Sequence, residues 1–389
     1  MMDAAPIPPP PAPRTAWRPD RVDKNALVLQ GGGALGAYQA GVYQALHEAG
    51  LEPDWVAGVS IGGINSAIIA GNRPERRMER LREFWETITG RHVWLFTPDG
   101  DDPRKARNAW SSHLTMLLGQ PGFFKPNTPS PWLSPRGAKN ATSFYDNSPL
   151  RETLLRLVDF ELLNGGGVRY AAGAVNVLNG NFTYFDSALT EILPEHVMAS
   201  GALPPALPMV KIGTDYFWDG GLVSNTPLQH LLDNAGTDNL LVFQVDLFSA
   251  HGTLPRDMYD VLARQKDIQY SSRTRLVTDY FTQKNKQQAL IGALLHRLPD
   301  AELSDEERAL KQQLSHLPEI TILHLIYQQA VYEGQAKDYE FSGTSMREHW
   351  ESGYRDTRRT LQHNQWLTTS DSRGGITVHD VHKADQDDM

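Results

Sequence analysis

A serine lies between two glycines directly after a short apolar run. The run covers residues 55–58, and the motif that ends it reads G-V-S-I-G, with Ser60 between Gly58 and Gly62. Apolar residues dominate 61–69, which predicts a buried helix after the serine. This strand–turn–helix context is the one that a nucleophile elbow requires, because small neighbours allow the sharp turn that exposes the serine oxygen. Ser60 is therefore a candidate nucleophile for acyl transfer.

A glycine-rich turn precedes this motif by one predicted helix. The apolar run 26–29 is typical of a buried strand, and it leads into G-G-G-A-L-G at residues 31–36. A strand–helix–strand unit closes into a parallel pair, so both turns should emerge at the same sheet edge. The backbone N–H groups there would face an oxyanion formed at Ser60, and glycine lets substrate approach that backbone closely. The predicted oxyanion turn comprises Gly31, Gly32, Gly33 and Gly36.

An aspartate followed by two glycines comes much later. Residues 216–218 resemble a strand that delivers Asp219, and Gly220 and Gly221 follow it. Asp-Gly alone is a common turn dipeptide. Asp219 is a stronger candidate for a catalytic group than a lone Asp-Gly would be, because it follows a hydrophobic run and precedes a second glycine. The elbow serine also has no other obvious partner. A desolvated carboxylate can accept a serine proton if its pKa rises toward the operating pH.

The three motifs, in this order, resemble the patatin-like phospholipases. That resemblance implies an α/β fold, a three-layer α/β/α hydrolase with a mainly parallel central sheet. It also implies that Asp219 is the general base of a dyad with Ser60, and that lipid esters are the substrates. Residues 195–208 correspond to the family's short helix and proline turn beside the active site, with Gly201 where other members commonly carry a different residue.

Other interpretations of the same motifs remain open. Gly31, Gly33 and Gly36 also match G-x-G-x-x-G, but a dinucleotide site needs an acidic residue near the end of the second strand, where Ser60 stands. A Ser-Asp-His triad could use His230 or His251, although α/β-hydrolases place the elbow several strands after the oxyanion loop. The lone His196 fits a structural role better. A non-catalytic lipid-binding scaffold and an esterase for hydroxyacyl polyesters are further alternatives.

Composition narrows the class of protein. The 389 residues include no cysteine, and the formal net charge is −9. The acidic balance argues against nucleic acid as the main partner, and the sequence contains no disulfide framework. No apolar run reaches the roughly 18 residues that span a bilayer. We expect a cytoplasmic enzyme that needs no metal or other cofactor and contacts membranes peripherally; the oligomeric state is left open.

The predicted organisation has four parts. Residues 1–23 form a disordered proline-rich arm, 24–250 the catalytic domain, 251–375 a mostly helical extension and 376–389 a disordered tail. The extension resembles one carried by a group of bacterial family members. Within the catalytic domain, residues 91–143 are aromatic and apolar without helical or strand periodicity, which predicts a lid or a channel wall.

Two further patterns each allow two interpretations. Phe123 and Phe124 belong either to a mobile cover or to an ordinary core. A predicted helix over 73–89 carries an arginine-rich face, which is either solvated or a docking site for anionic lipid headgroups. The arginines are Arg76, Arg77, Arg80 and Arg82.

Overall fold

The structure is a computed structural model that describes residues 19, 21–90, 100–315, 317–330, 332–362 and 375–380. Most of the predicted N-terminal arm therefore lies outside the described residues, as do positions 91–99. The strands are β1 (Lys24–Leu29), β2 (Trp55–Val59), β3 (Lys125–Pro126), β4 (Tyr145–Asp146), β5 (Arg169–Asn176), β6 (Phe182–Asp186), β7 (Val210–Ile212), β8 (Asp215–Asp219), β9 (Leu240–Asp246), β10 (Ile320–Ile326) and β11 (Ile376–Asp380). The helices are α1 (Ala37–Glu48), α2 (Ile61–Ala70), α3 (Pro74–Thr89), α4 (Asp101–Leu118), α5 (Ser148–Leu157), α6 (Phe160–Asn164), α7 (Pro194–Ser200), α8 (Leu228–Asp233), α9 (Met258–Tyr270), α10 (Thr274–His296), α11 (Asp305–Gln313) and α12 (Gly343–Gln362).

Nine of the described strands form one mixed sheet. Its order is β11-β10-β9-β1-β2-β5-β8-β7, with β6 also paired to β5. The six strands from β11 to β5 are parallel, and the pairings of β6, β7 and β8 are antiparallel. Strands β2 and β9 are buried along their whole length, as expected for parallel strands covered on both faces. The predicted α/β class with a mainly parallel sheet is confirmed.

Alternate residues of β1 enter two separate cores. Leu27 and Leu29 pack into the larger core with the helices α1, α2, α3 and α12. Ala26 and Val28 pack into a smaller core with α8 and with Phe281 of α10. Because successive strand side chains point to opposite faces, helices cover both faces of the sheet, in three layers.

The region after residue 250 shares this sheet. Strand β10 pairs in parallel with β9 over its full length, and β11 pairs in parallel with β10. The prediction of a disordered tail from 376 is therefore wrong for 376–380, while 381–389 lie outside the described residues. Ile376, Thr377 and Val378 are strand-forming residues, and they pair with the open edge of β10. This strand was not predicted, because the surrounding residues are rich in His and Asp.

Helix α4 lies within 91–143, the segment for which the sequence analysis found no helical or strand periodicity. Its buried positions are polar, whereas Trp110, Met116, Leu117 and Leu118 are exposed. Trp110, Leu114, Leu117 and Leu118 do recur at helical spacing, but the face that they form is mostly exposed instead of buried. The buried residues of α4 are Arg107, Asn108, Ser111, Ser112 and Thr115.

Phe123 and Phe124, which follow α4, belong to the larger core. Each is 8% exposed, and both rings contact the ring of Phe341. Of the two interpretations made for these side chains, the core is the one that the structure supports.

The arginine face of α3 has partners within the chain. Arg76 and Arg80 pair with glutamates three residues further along the helix, and the buried Arg77 pairs with Glu52. Arg82 lies over the ring of Trp350. No helix among the described residues is both long enough and apolar enough to cross a bilayer.

Two glycines allow α1 and α12 to cross with their backbones in contact. A Cβ at Gly41 would lie 1.9 Å from the Trp350 carbonyl oxygen, and one at Gly353 would lie 2.0 Å from that of Tyr38. Three hydrogen bonds also join the helices: Trp350 Nε1 to Gln44 Oε1, Tyr354 to Glu48 and Tyr38 to Asp356. The region after 250 is thus fastened to the first helix of the fold.

We predict that Gly353→Ala lowers the free energy of unfolding by about 2 kcal/mol or more, because a methyl group here overpacks a backbone contact. In an open helix the same change would stabilise by up to about 1 kcal/mol. Chemical denaturation measures the effect, and Gly167→Ala, with nothing within 4 Å of its Cβ, is the control. A stabilised Gly353→Ala variant would contradict the close crossing.

Candidate active site

Ser60 occupies a strained turn between β2 and α2. Its φ of 56° and ψ of −126° lie in a region that side chains other than glycine rarely adopt. A Cβ at Gly58 would lie 2.2 Å from the backbone of Gly62, and one at Gly62 would lie 2.2 Å from the Leu29 carbonyl oxygen. Both elbow glycines are therefore required by backbone contacts, as the motif predicted.

The Ser60 N–H is held by a residue that sequence reasoning missed. It donates to the carbonyl oxygen of Ser200 at 3.1 Å and to Ser200 Oγ at 3.0 Å. Ser200 ends α7 and is fully buried. Its only sequence signal is its place just before the proline turn.

The strand register brings Asp219 to Ser60. Val59 pairs with Gly173 of β5, and the next residue, Ala174, pairs with Asp219 at the end of β8. Asp219 is 2% exposed, and the Ser60 hydroxyl lies close enough to its carboxyl to lower the pKa of that group. The predicted serine and aspartate are therefore in contact.

The surroundings of the Asp219 carboxylate favour its protonated form. Burial raises the pKa of Asp219 to about 7, although hydrogen bonds from Ser60 and from the Gly221 N–H oppose the shift. The Gly221 N–H lies 2.7 Å from Asp219 Oδ1. Gly220 fits only without a side chain, since its Cβ would lie 2.6 Å from the Gly173 carbonyl oxygen. A carboxylate with a pKa near neutrality can exchange a proton with a serine.

Three successive carbonyls of the glycine turn have hydrogen-bond donors. In a trans peptide the C=O and the following N–H point in opposite directions, so holding a carbonyl also orients the next N–H. The donors are Gln39 Nε2 to Gln30 O (2.6 Å), Asn225 Nδ2 to Gly31 O (3.0 Å) and the Leu35 N–H to Gly32 O (3.1 Å). The N–H directions of Gly31, Gly32 and Gly33 are fixed in this way.

Close packing explains the glycines of this turn. A Cβ at Gly31 would lie 2.3 Å from Asn225 Oδ1 and 3.0 Å from Ser60 Cβ, and one at Gly36 would lie 2.5 Å from the Ile61 side chain. Gly33 has a φ of 54°, and a Cβ there would lie 2.3 Å from the Asp338 carbonyl oxygen. The turn therefore packs directly against the elbow and against the region after 250.

A cavity of about 350 Å³ opens beside Ser60 and Asp219. Gly31, Gly32 and Gly33 line it together with a largely apolar wall. That wall includes Met116, Phe123, Phe124, Phe144, Leu203, Leu207, Phe248 and Phe341. Tyr270, Asp338 and Tyr339 add polar groups from the region after 250, which carries no motif that could have identified them.

The structure does not bring the candidate histidines to Ser60. His230 Nε2 lies 2.8 Å from Asp186 Oδ2, and its ring stacks on Tyr184. His196 Nδ1 accepts the Leu193 N–H at 2.8 Å, and His251 is exposed in a loop. No histidine is among the described residues that line the cavity, so the triad interpretation has no base at Ser60.

Two family models match the chain, one before residue 250 and one after it. A family model described as "Patatin-like phospholipase" matches residues 27–232, just over half of the chain, and one described as "Patatin phospholipase" matches 268–373. "Lysophospholipase nte1" of Aspergillus terreus is 54% identical over 238 residues, which cover 61% of this chain and 13% of the relative. "Patatin-like phospholipase domain-containing protein 6" of Mus musculus is 46% identical over 65 residues, which cover 16% of this chain and 5% of the relative.

The chain thus spans a small part of the length of these curated relatives, 13% or less. Among solved structures, VipD from Legionella pneumophila aligns with a TM-score of 0.39 at 15% identity, covering 94% of this chain and 71% of VipD. Because the match to residues 27–232 contains the glycine turn, the elbow and the Asp-Gly-Gly motif that meet at one cavity, the chain belongs to the patatin-like phospholipase family.

Proposed function

We propose that the protein hydrolyses carboxylic ester bonds of lipids through an acyl-serine intermediate. The observation that carries this proposal is the contact between Ser60 and the buried carboxyl of Asp219 at the wall of an apolar cavity. Family membership supports the same reaction class. The lysophospholipase name of one relative points to phospholipids with a single acyl chain as one substrate class.

In the proposed first half-reaction, Ser60 Oγ attacks the ester carbonyl while Asp219 accepts the hydroxyl proton. Negative charge develops on the carbonyl oxygen, and the N–H groups of Gly32 and Gly33 stabilise it. No hydrogen bond from either N–H to another described residue competes with this role. Collapse of the tetrahedral intermediate breaks the ester C–O bond, and the alcohol leaves with the proton from Asp219.

Water completes the proposed cycle. It attacks the acyl-serine carbonyl, passes a proton to Asp219, and the collapse returns that proton to Ser60 Oγ and releases the fatty acid. The aromatic and aliphatic wall suits an acyl chain, because burying apolar surface there is favourable. The proposed reaction uses no metal or other cofactor.

Ser60→Ala is expected to remove at least about 99% of the esterase activity, because a lost nucleophile costs several orders of magnitude. The assay is a panel of phospholipid, lysophospholipid, neutral lipid and hydroxyacyl polyester substrates, with circular dichroism as the control for folding. The panel also tests the polyester alternative. Reaction of wild-type Ser60 with a fluorophosphonate separates an enzyme from a lipid-binding scaffold; an unreactive Ser60 would contradict the proposal.

The activity should depend on the ionisation of Asp219. Since burial raises the pKa of this group to about 7, kcat/KM for a soluble ester should rise with pH to a plateau, half-maximal near pH 7. Asp219→Asn should abolish the activity. A loss below about tenfold would point to another base.

Asp219 should also reduce stability at high pH. Folding raises its pKa from about 3.9, so the native state binds this proton more tightly and unfolding becomes easier as the pH rises toward 7. The stability of Asp219→Asn relative to wild type should therefore increase from pH 4 to pH 7 and then remain constant. Thermal unfolding across this range measures the difference.

We also propose that the protein works in the cytoplasm and contacts membranes through the cavity rim, defined as Met116, Leu117, Leu118, Trp132, Leu133 and Phe144. All six side chains are exposed, and Met116 and Phe144 also line the cavity. The ring of Trp132 lies 6.5 Å from that of Phe144, which joins the exposed loop to the cavity wall. Exposed apolar groups around a cavity mouth are typical of a binding surface.

Charge and position strengthen the case for a lipid partner. Residues 130–140 include Arg136 and Lys139 but no acidic residue, in a chain of net charge −9. A basic and aromatic loop suits anionic headgroups and the interface beneath them. Because Thr115 and Met116 of α4 line the cavity, we further propose that 91–143, apart from the core residues Phe123 and Phe124, is the cover of the cavity.

The double variant Trp132→Ser, Leu133→Ser should lower hydrolysis on anionic lipid vesicles by about tenfold or more, because less apolar surface enters the membrane. Turnover of a short soluble ester should not change. The matched control is Leu178→Ser with Leu189→Ser, two leucines of similar exposure (74% and 76%) at the β5–β6 hairpin and beyond it. If the control variant lost as much vesicle hydrolysis, or if activity on the short ester fell equally, the proposal that the cavity rim contacts membranes would be refuted.

A further inference from the structure

One backbone carbonyl of the region after residue 250 is connected to the glycine turn through side-chain amides. The Tyr270 carbonyl, at the end of α9, accepts hydrogen bonds from Asn225 Nδ2 and Gln30 Nε2, each at 3.0 Å. The last carbonyls of a helix have no partner within it and lie at the negative end of the helix dipole. Tyr270 O is therefore a well-placed acceptor for two amides.

Asn225 holds the Gly31 residue from both sides. Its Nδ2 donates to the Gly31 carbonyl at 3.0 Å, and its backbone carbonyl accepts the Gly31 N–H at 3.2 Å. Glycine offers little resistance to rotation of the adjoining peptides. The Gly31–Gly32 peptide is not among the cis peptides of the described residues, so holding the Gly31 oxygen fixes the opposite direction for the Gly32 N–H.

We propose that Asn225 is a positioning residue for the oxyanion turn, and that the Tyr270 carbonyl sets its side-chain orientation. This inference rests on the proposed ester hydrolysis. With Nδ2 held between the two carbonyls of Gly31 and Tyr270, the Gly32 N–H is oriented before substrate binds. Preorganised donors of this kind act on the transition state rather than on the bound substrate.

Two reciprocal ion pairs hold α9 in place for this task. Lys266 pairs with Asp338 and Lys337 pairs with Asp267, each at 2.7 Å, so two Lys-Asp dipeptides exchange partners. The Lys337 side chain is 3% exposed. The Asp338 carbonyl in turn packs against Gly33. The region after 250 thus supports both proposed oxyanion donors.

The first test is Asn225→Asp, which places an oxygen against the two carbonyls that now accept from Nδ2. We expect kcat for a soluble ester to fall at least about tenfold, with KM changed less than about threefold. A trifluoromethyl ketone, which adds to Ser60 Oγ and forms an oxyanion, should lose affinity by the same factor as kcat/KM.

The chain offers a matched control in Asn72→Asp. Asn72 Nδ2 also bridges two backbone carbonyls, those of Ile68 and Leu157, and both asparagines are 9% exposed. Asn72 does not line the cavity. Its variant should lower the melting temperature by a similar amount while leaving kcat and ketone affinity near wild type. Equal kinetic effects in the two variants would overturn the inference.

A second test keeps the inference falsifiable if Asn225→Asp does not fold. Asp267 and Lys337 do not line the cavity, so Asp267→Asn and Lys337→Met should lower kcat through α9 alone. Exchanging the pair, Asp267→Lys with Lys337→Asp, should recover at least part of kcat and ketone affinity. If kcat were unchanged in both single variants, the proposal that α9 sets the orientation of Asn225 through the Tyr270 carbonyl would be refuted.

Fluorophosphonate labelling of the wild type distinguishes failure of the proposed ester hydrolysis from failure of the role proposed for Asn225. If wild-type Ser60 does not react, ester hydrolysis itself is refuted. If it reacts and Asn225→Asp behaves like Asn72→Asp, only the role of Asn225 is refuted.

Discussion

Direct backbone contact at the carboxyl edge of β1 and β2 is the constraint on which the site depends. The parallel register pairs Leu29 with Gly58, and Gly62 packs on the Leu29 carbonyl. No side chain fits between these segments. As a result the elbow and the glycine turn meet at a separation set by peptide groups, and Ser60 lies beside Gly31.

A second constraint is the burial of one carboxyl group. Asp219 arrives on an antiparallel strand whose register stops it at the level of Ser60. Its burial raises its pKa toward neutrality, so the same burial that costs stability suits the proton exchange proposed for this group. Neither histidine proposed for a triad lines the cavity, since His230 is bonded to Asp186 and His251 is exposed in a loop.

The region after residue 250 completes the sheet, crosses the first helix and lines the cavity. Its helix α12 contacts α1 through glycines, and its strand β10 extends the parallel sheet beside β9. Tyr270, Asp338 and Tyr339 bring it to the cavity. The fold is therefore continuous across the boundary that the sequence suggested at residue 250.

The sequence by itself determined the elements with a strong local signal. Buried parallel strands appear in the sequence as apolar runs, and tight turns appear as glycines. The amphipathic helices α3 and α5 appear as apolar residues at helical spacing. These signals are readable because local backbone and burial requirements restrict the residue types. Family membership followed from three such turns in order. For Phe123 and Phe124 the sequence allowed both a cover and a core, since composition does not reveal which neighbours an aromatic ring meets.

Only the tertiary structure decided the rest. Helix α4 buries polar residues and exposes apolar ones, so its pattern contradicts its packing. Strand β11 depends on the open edge of β10, and the hydrogen bonds of Asn225 and Ser200 join groups that are far apart in sequence. Side-chain amides and hydroxyls form hydrogen bonds with any suitable group that the fold places beside them. Such hydrogen bonds therefore produce no recognisable pattern in the sequence.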